Sequence, residues 1–445
     1  MKLKYLLLFL LSSVSLLTTP LLSSDKITLD QCINWGLERN PSLQSVTLEK
    51  QLDLPASLAA WGQFLPSVST SFSIEQSKYY YPTFVLPDGS VATRPDSLIS
   101  EGRNRNSAFY LRVDETLFRG GRNYFNFKNT VLNEKIRNSR LKYERSLLRS
   151  QITRAFSNAI AADRWFDLAG KVIEQRRLQL HLAQVRFETG SVTRRDVLQA
   201  EVDLGRARSD SLSALFDAKR TSEELNILID LPLDTTYTLA KLTPPFKIGW
   251  DIDSLITEGR KARGDIVSTE LTVQMTNNDR LSAKGEYLPA LTTSYYHRRS
   301  EQSGINTAFT LKPRSRYSQV GLTISWNLFD RFTRELRLQE ARVRQQQAEF
   351  SVYENSRDIQ HQVRVAADRL FSLYEQAEVA AQNSHWAEET LKFEQERYRL
   401  GSATIIELGA AQLSFIQAKN DQIRLETEFY TALGELELAT GIVLR

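Results

Sequence analysis

The chain has 445 residues and a formal net charge of +4, from 57 basic and 53 acidic side chains. That near balance gives no electrostatic case for a nucleic-acid partner. A single cysteine, Cys32, excludes an intramolecular disulfide, and charged residues spread along the chain suit long solvated helices.

The N-terminus reads as an export signal. Lys2 and Lys4 precede an apolar run from Tyr5 to Leu17, and the small residues Ser23 and Ser24 come before Asp25. Residues 1–24 are therefore expected to be removed as a signal peptide; the run is short for a spanning helix, which needs about 20 apolar residues. Cys32 has no lipobox before it and, within Leu29-Asp-Gln-Cys-Ile33, reads as a small apolar helix residue. No later apolar stretch is long enough to span a bilayer, so any membrane-embedded part must be a closed β-barrel.

The chain is an internal duplication. Trp61-Gly-Gln-Phe-Leu-Pro66 aligns with Lys284-Gly-Glu-Tyr-Leu-Pro289 at an offset of 223 (289 − 66), as does Arg39-Asn-Pro-Ser-Leu-Gln with Ala262-Arg-Gly-Asp-Ile-Val. Leu117-Phe118 aligns with Leu328-Phe329 at an offset of 211 (328 − 117), and so does Arg186-Phe-Glu-Thr-Gly190 with Arg397-Tyr-Arg-Leu-Gly401. The offset changes once, so the first copy carries 12 extra residues (223 − 211) between Pro66 and Leu117, which marks an exposed loop. The copies occupy residues 25–235 and 251–445, with a linker at 236–250.

Each copy predicts the same elements in order. A short helix begins near Leu29 (Ile252 in the second copy), and a longer one ends near Phe64 (Tyr287), where Leu-Pro breaks it. Period-two alternation then predicts strands at about 65–80 and 106–118, and again at about 288–300 and 316–329. In the last of these, Val320, Leu322, Ile324, Trp326 and Leu328 alternate with polar or small residues. Strands of this length suit a tilted bilayer crossing with aromatic rims. Tyr79, Tyr80, Tyr81, Tyr295 and Tyr296 are expected at the loop end, and Phe64, Phe118, Trp326 and Phe329 at the helix end.

Helical hairpins follow at 122–230 and 332–440. Their first arms run almost without proline or glycine for roughly 65 residues, about 100 Å at 1.5 Å per residue. Apolar residues at mixed three- and four-residue spacing give each arm a coiled-coil seam. Gly190 and Gly401 end these arms, and helices of about 40 residues return. Four strands cannot close a barrel, and open edges in lipid leave backbone groups unpaired, so sister subunits are required; three chains would supply twelve strands.

Ile27-Thr-Leu-Asp-Gln-Cys32, Leu117-Phe-Arg-Gly-Gly-Arg122, Trp326-Asn-Leu-Phe-Asp330 and the paired Arg-x-x-x-Gly turns together resemble the TolC-like outer membrane efflux proteins. The resemblance covers essentially the whole mature chain. It implies a mainly α fold with a transmembrane portion, in which a homotrimer forms a 12-stranded barrel in outer-membrane lipid, continued by a long α-helical periplasmic tunnel. It further implies a passive exit duct for tripartite efflux or type I secretion, docked to a periplasmic adaptor and an inner-membrane transporter.

The resemblance also points to site residues at the hairpin turns. Gly190, Ser191, Gly401 and Ser402 are candidates for adaptor contact. Thr193-Arg-Arg-Asp196 and Thr404-Ile-Ile-Glu407 both fit a capping box. Glu407 matches the first of two pore-facing acids in the family, while the second position here is Ala410; three Glu407 carboxylates about a threefold axis would favour cations. Tyr398 and Asp196 match positions that hold the pore shut, with Tyr398 donating to Asp196. No phosphate loop, Gly-x-Ser-x-Gly or ordered metal spacing appears, and His181, His297, His361 and His385 are isolated, so neither catalysis nor a cofactor is expected. The rival reading is a periplasmic or surface coiled-coil scaffold without channel activity.

Overall fold

The computed structural model describes residues 26–79, 83–93, 102–247, 249–303 and 315–444. The signal segment and the rim tyrosines Tyr80 and Tyr81 lie outside the described residues. Contacts divide the chain into two compact units, Met1–Gln44 with Glu144–Leu255 and Gln362–Arg445, and Ser45–Tyr143 with Ile256–His361. These units do not follow the sequence repeats: each draws on both copies.

The elements of the first copy are α1 (Leu29–Arg39), α2 (Pro41–Leu48), α3 (Asp53–Gly62), β1 (Ser67–Tyr79), β2 (Thr83–Val85), β3 (Val91–Thr93), β4 (Gly102–Arg119), α4 (Arg122–Glu188) and α5 (Arg194–Ile229). The second copy has α6 (Ile252–Ala262), α7 (Gly264–Gly285), β5 (Ala290–Ser303), β6 (Ser315–Ser325), α8 (Thr333–Arg399) and α9 (Ile405–Thr440). The first arms, α4 and α8, are 67 residues each, and the return helices are 36 each. Among the described residues no helix is long and apolar enough to cross a membrane.

The first unit has a mainly helical core. Ile152, Phe156, Leu225, Ile229, Val363, Phe429, Leu433 and Leu436 are all buried, and Leu225 and Leu436 are repeat equivalents. Small side chains let the helices approach: a Cβ on Gly36 would lie 2.3 Å from Ile152 Cδ1, and one on Gly434 would lie 3.3 Å from Thr153 Cβ. The buried hydroxyls of Thr153 and Ser157 donate to the carbonyls of Arg149 and Thr153, four residues back, so neither is left unsatisfied. Buried Asn226 anchors the linker, donating to the carbonyls of Leu233 and Thr235 and accepting from the Tyr237 hydroxyl at 2.6 Å. Cys32 is fully buried, and that burial pushes its thiol up to about 12.

The second unit holds an antiparallel sheet in the order β1-β4-β5-β6. Two hairpins, β1·β4 and β5·β6, are joined by the pairing of β4 with β5. β2 and β3 form a separate small hairpin within the extra segment of the first copy. One sheet face carries Val68, Phe72, Phe109, Leu111, Val320, Leu322 and Ile324. The other carries the β1 serines, an Arg112–Asp114 ion pair at 2.6 Å, and a run of rings from Tyr110 through Tyr296 to Tyr317 spaced about 6 Å apart.

Three expectations are corrected. The first copy's longer helix is broken into α2, a 3-10 turn at Glu49–Leu52 and α3. Pro55, which has no N–H to give the carbonyl four residues back, stands there where the second copy has Asn278, and α7 runs unbroken. Tyr295 and Tyr296 lie mid-strand, opposite Val113 and Arg112 and on opposite faces, because β5 continues to Ser303. β6 stops at Ser325, four residues short of the alternation in its sequence.

Candidate functional site

The two hairpin turns are built alike from equivalent residues. After α4, Ser191 N–H donates to Arg186 O (2.8 Å) and Gly190 N–H to Phe187 O (3.0 Å). After α8, Ser402 N–H donates to Arg397 O (2.9 Å) and Gly401 N–H to Tyr398 O (3.1 Å). Both are Schellman closures, which satisfy the orphan carbonyls of a helix end and require a left-handed residue. Gly190 and Gly401 supply it at φ +75° and +80°. Gly190, Ser191, Gly401 and Ser402 are all exposed at these turns.

The return helices then start from matched capping boxes. Asp196 Oδ2 accepts from the Thr193 N–H (2.9 Å) and hydroxyl (2.8 Å). Glu407 Oε2 accepts from the Thr404 N–H (2.7 Å) and hydroxyl (2.9 Å), while Thr404 Oγ1 accepts from Glu407 N–H (3.2 Å). Bonds from Thr193, aided by Arg195, hold the Asp196 carboxyl below the ordinary aspartate range. For Glu407 the donors are the Thr404 backbone and hydroxyl, with Arg397 adding to the same lowering. Both acids, Asp196 half-buried and Glu407 exposed, are thus fixed as anions at the positive ends of helices.

Tyr398 is buried beside the second turn. Its side chain is buried with Leu391, Leu408 and Ala411, against Leu182, Ile405 and Phe415. Its ring lies under the Arg186 guanidinium, 4.4 Å from the centroid, and its carbonyl accepts from Arg186 Nη2 at 2.5 Å. The bond from Tyr398 to Asp196 that the resemblance implied is not formed within this chain. Asp196 Oδ2 accepts from its own cap threonine, and the Tyr398 ring is held by Arg186. Arg186 is the site residue not expected from sequence; its only signal there is the repeated Arg-Phe and Arg-Tyr doublet before each turn. The turns also present Leu400 and Ile406, more than 70% exposed, as apolar tips.

The second notable feature is the pair of open sheet edges. β1 and β6 are exposed along nearly their whole length, whereas β4 and β5 are mostly half-buried. Among the described residues β1 pairs only with β4, and β6 only with β5.

No curated protein matches this sequence. Solved structures match its fold over most of the chain. The Campylobacter jejuni CmeC outer membrane channel aligns with a TM-score of 0.79 at 14% identity, over 94% of this chain and 86% of that one. The outer membrane protein VceC from Vibrio cholerae gives 0.76 at 16% identity, over 94% and 97%. The open-state Neisseria gonorrhoeae MtrE outer membrane channel gives 0.76 at 17% identity, over 94% and 89%. These likenesses establish the fold, a β-barrel portion with an α-helical tunnel. The family profile described as "Outer membrane efflux protein" matches residues 33–229 and 255–442. The chain therefore belongs to the outer membrane efflux protein family, and its place is the outer membrane with an extension into the periplasm.

Proposed function

We propose that three copies of this chain assemble into a passive exit duct, through which substrates supplied by an inner-membrane transporter and a periplasmic adaptor leave the cell. The observation that carries the reading is the four-stranded sheet with both edges open in a chain of this family. Unpaired strand edges are untenable in lipid, and three sheets of four strands make a twelve-stranded barrel, within the range of closed outer-membrane barrels. The polar sheet face, with its serines and the Arg112–Asp114 pair, then lines a wet bore.

In this reading the exposed turns at Gly190, Ser191, Gly401 and Ser402 meet the adaptor, with Leu400 and Ile406 as apolar contact points. Glu407 and Asp196 form the charged rim of the constriction, and Tyr398 braces it through Arg186. Three Glu407 carboxylates around the axis give a cation preference. The test is reconstitution of the detergent-extracted protein in a planar bilayer. Conductance with a cation-selective reversal potential is expected, moving towards non-selectivity in Glu407→Gln. A water-soluble monomer without conductance would overturn the duct in favour of a coiled-coil scaffold, and an unaltered reversal potential in the variant would overturn the ring.

A further inference from the structure

The two copies predict how one chain meets the next at residue level. Adding 223 to a β1 residue and 211 to a β4 residue should reproduce the second hairpin if the repeat holds in three dimensions. It does: the first hairpin pairs Val68 with Val113, the offsets give Leu291 with Ile324, and that pair is present in β5·β6. The whole ladder follows, from Ser67↔Asp114 mapped onto Ala290↔Ser325 to Ser77↔Asn104 mapped onto Ser300↔Ser315.

The same offsets apply to the seam that joins the copies within the chain. There β4 of the first copy pairs with β5 of the second. The repeat equivalent of β4 is β6, and that of β5 is β1, the two strands with an open edge. Within the chain, Val113 faces Tyr295 and Arg112 faces Tyr296. Carried over, Ile324 faces Phe72 and Thr323 faces Ser73.

We infer that β6 of one copy pairs antiparallel with β1 of a neighbouring copy in this register, and that β6 then continues beyond Ser325 to Asp330. The extension has its own warrant. β4 runs on through Glu115–Arg119 although β1 pairs with it only as far as Asp114; that stretch is held by β5 alone, across an irregularity between Thr116 and Phe118. Its equivalent in the second copy is residues 326–330, which none of the described strands pairs. The alternation through Trp326 and Leu328 is thus a strand pattern whose partner is on another molecule, with Asn327 facing Ser69.

Chemistry across the inferred seam agrees. Ile324 meets Phe72 and Leu322 meets Ile74 on the apolar face, while Thr323 meets Ser73 and Ser325 meets Ser71 on the polar face. A slip of one residue would set Leu322 against Ser73 and turn the apolar set inward. The seam rests on the oligomeric reading above but fixes more than that reading does, namely which residues touch.

Cysteine pairs in the full chain test it, with buried Cys32 left in place. Ser73→Cys with Thr323→Cys, and Phe72→Cys with Ile324→Cys, sample adjacent rungs, which alternate between the two antiparallel pair geometries. Ser69→Cys with Asn327→Cys samples the extension, and Ser71→Cys with Thr323→Cys is two residues out of register. After oxidation the in-register pairs should give reducible dimer and trimer bands on denaturing gels, and the shifted pair should remain monomeric. Each variant is first checked for trimer mass in detergent with reductant present. The register is overturned if assembled variants cross-link only in the shifted pair or in none. The extension alone is overturned if Ser69/Asn327 fails where Ser73/Thr323 succeeds. A monomeric mass for the unsubstituted chain sinks the oligomeric reading, and the seam with it.

Discussion

Two exposed glycines fifteen positions apart, Gly190 and Gly205, should respond to alanine with opposite signs. A Cβ on either would meet nothing within 4 Å, so crowding contributes to neither. At Gly190 the backbone has φ +75°, a conformation that costs an L-residue about 1–2 kcal/mol. Gly190→Ala should weaken the turn by that amount, and since 1.4 kcal/mol is tenfold in an equilibrium, opening should become about 5–30-fold more frequent. The reporters are the amides of Gly190 and Ser191, which donate to Phe187 O and Arg186 O. Gly205 lies inside α5, where replacing glycine by alanine gains about 0.5–1 kcal/mol. Hydrogen exchange followed by mass spectrometry on the detergent-solubilised protein reads both sites. Peptides over residues 186–193 should exchange faster in Gly190→Ala, and those over 200–210 slower in Gly205→Ala. Unchanged exchange at the turn, or faster exchange at both sites, would show that the left-handed closure does not hold the hairpin end.

Gly36→Ala should destabilise the helical unit by about 1–3 kcal/mol through overpacking, because the new Cβ would fall 2.3 Å from Ile152 Cδ1. Ile152→Val removes that methyl and should recover part of the loss in the double variant, which a double-mutant cycle of denaturation midpoints measures. At the other end, Thr404→Ala deletes one of the bonds that lower the Glu407 carboxyl. A lowered carboxyl contributes stability above its unfolded value and loses it as pH falls through the folded value. The variant's tip should therefore loosen, and the cation preference proposed for the Glu407 ring fade, at a higher pH than the wild type's, as acid titrations of hydrogen exchange and reversal potential will show.

Much of this architecture is legible because duplication and periodicity are local signals. Helix α4 begins at Arg122 and α8 at Thr333, as the residues after each strand indicated, and the turns fall at Gly190 and Gly401. Other features were illegible for physical reasons. Pro55 sits amid good helix formers, and only the absence of a proline at Asn278 reveals that the two copies part company there. The middle of β5 was misjudged because the strand's far half, Arg298–Ser303, is polar and carries no alternation. At the tip, the anchoring of Tyr398 by Arg186 joins residues 212 apart in sequence, and no local pattern reports a contact of that range. The end of β6 is the opposite case. There the sequence reads as strand where none of the described strands of the chain pairs with it.

The differences between the copies also explain a glycine that conformation alone does not. Gly120 and Gly121 turn the chain out of β4 at φ +60° and +78°, and their equivalents Arg331 and Phe332 make the same turn at +60° and +63°. Non-glycine residues thus hold a left-handed pair at this site, braced by Arg334, whose N–H donates to Asp330 Oδ2 (3.1 Å), whose Nη2 donates to Leu328 O (3.2 Å) and whose guanidinium stacks on Tyr287. The glycine at 120 is demanded by approach: a Cβ there would lie 2.0 Å from Gly285 O, and one on Gly285 would lie 1.8 Å from Gly120 O. Gly62, the equivalent of Gly285, has nothing within 4 Å. Under the inferred pairing, Arg331 comes to Gly62 of the neighbouring copy. That seam must then stand wider at its helix end than the seam within the chain, by the bulk of one side chain.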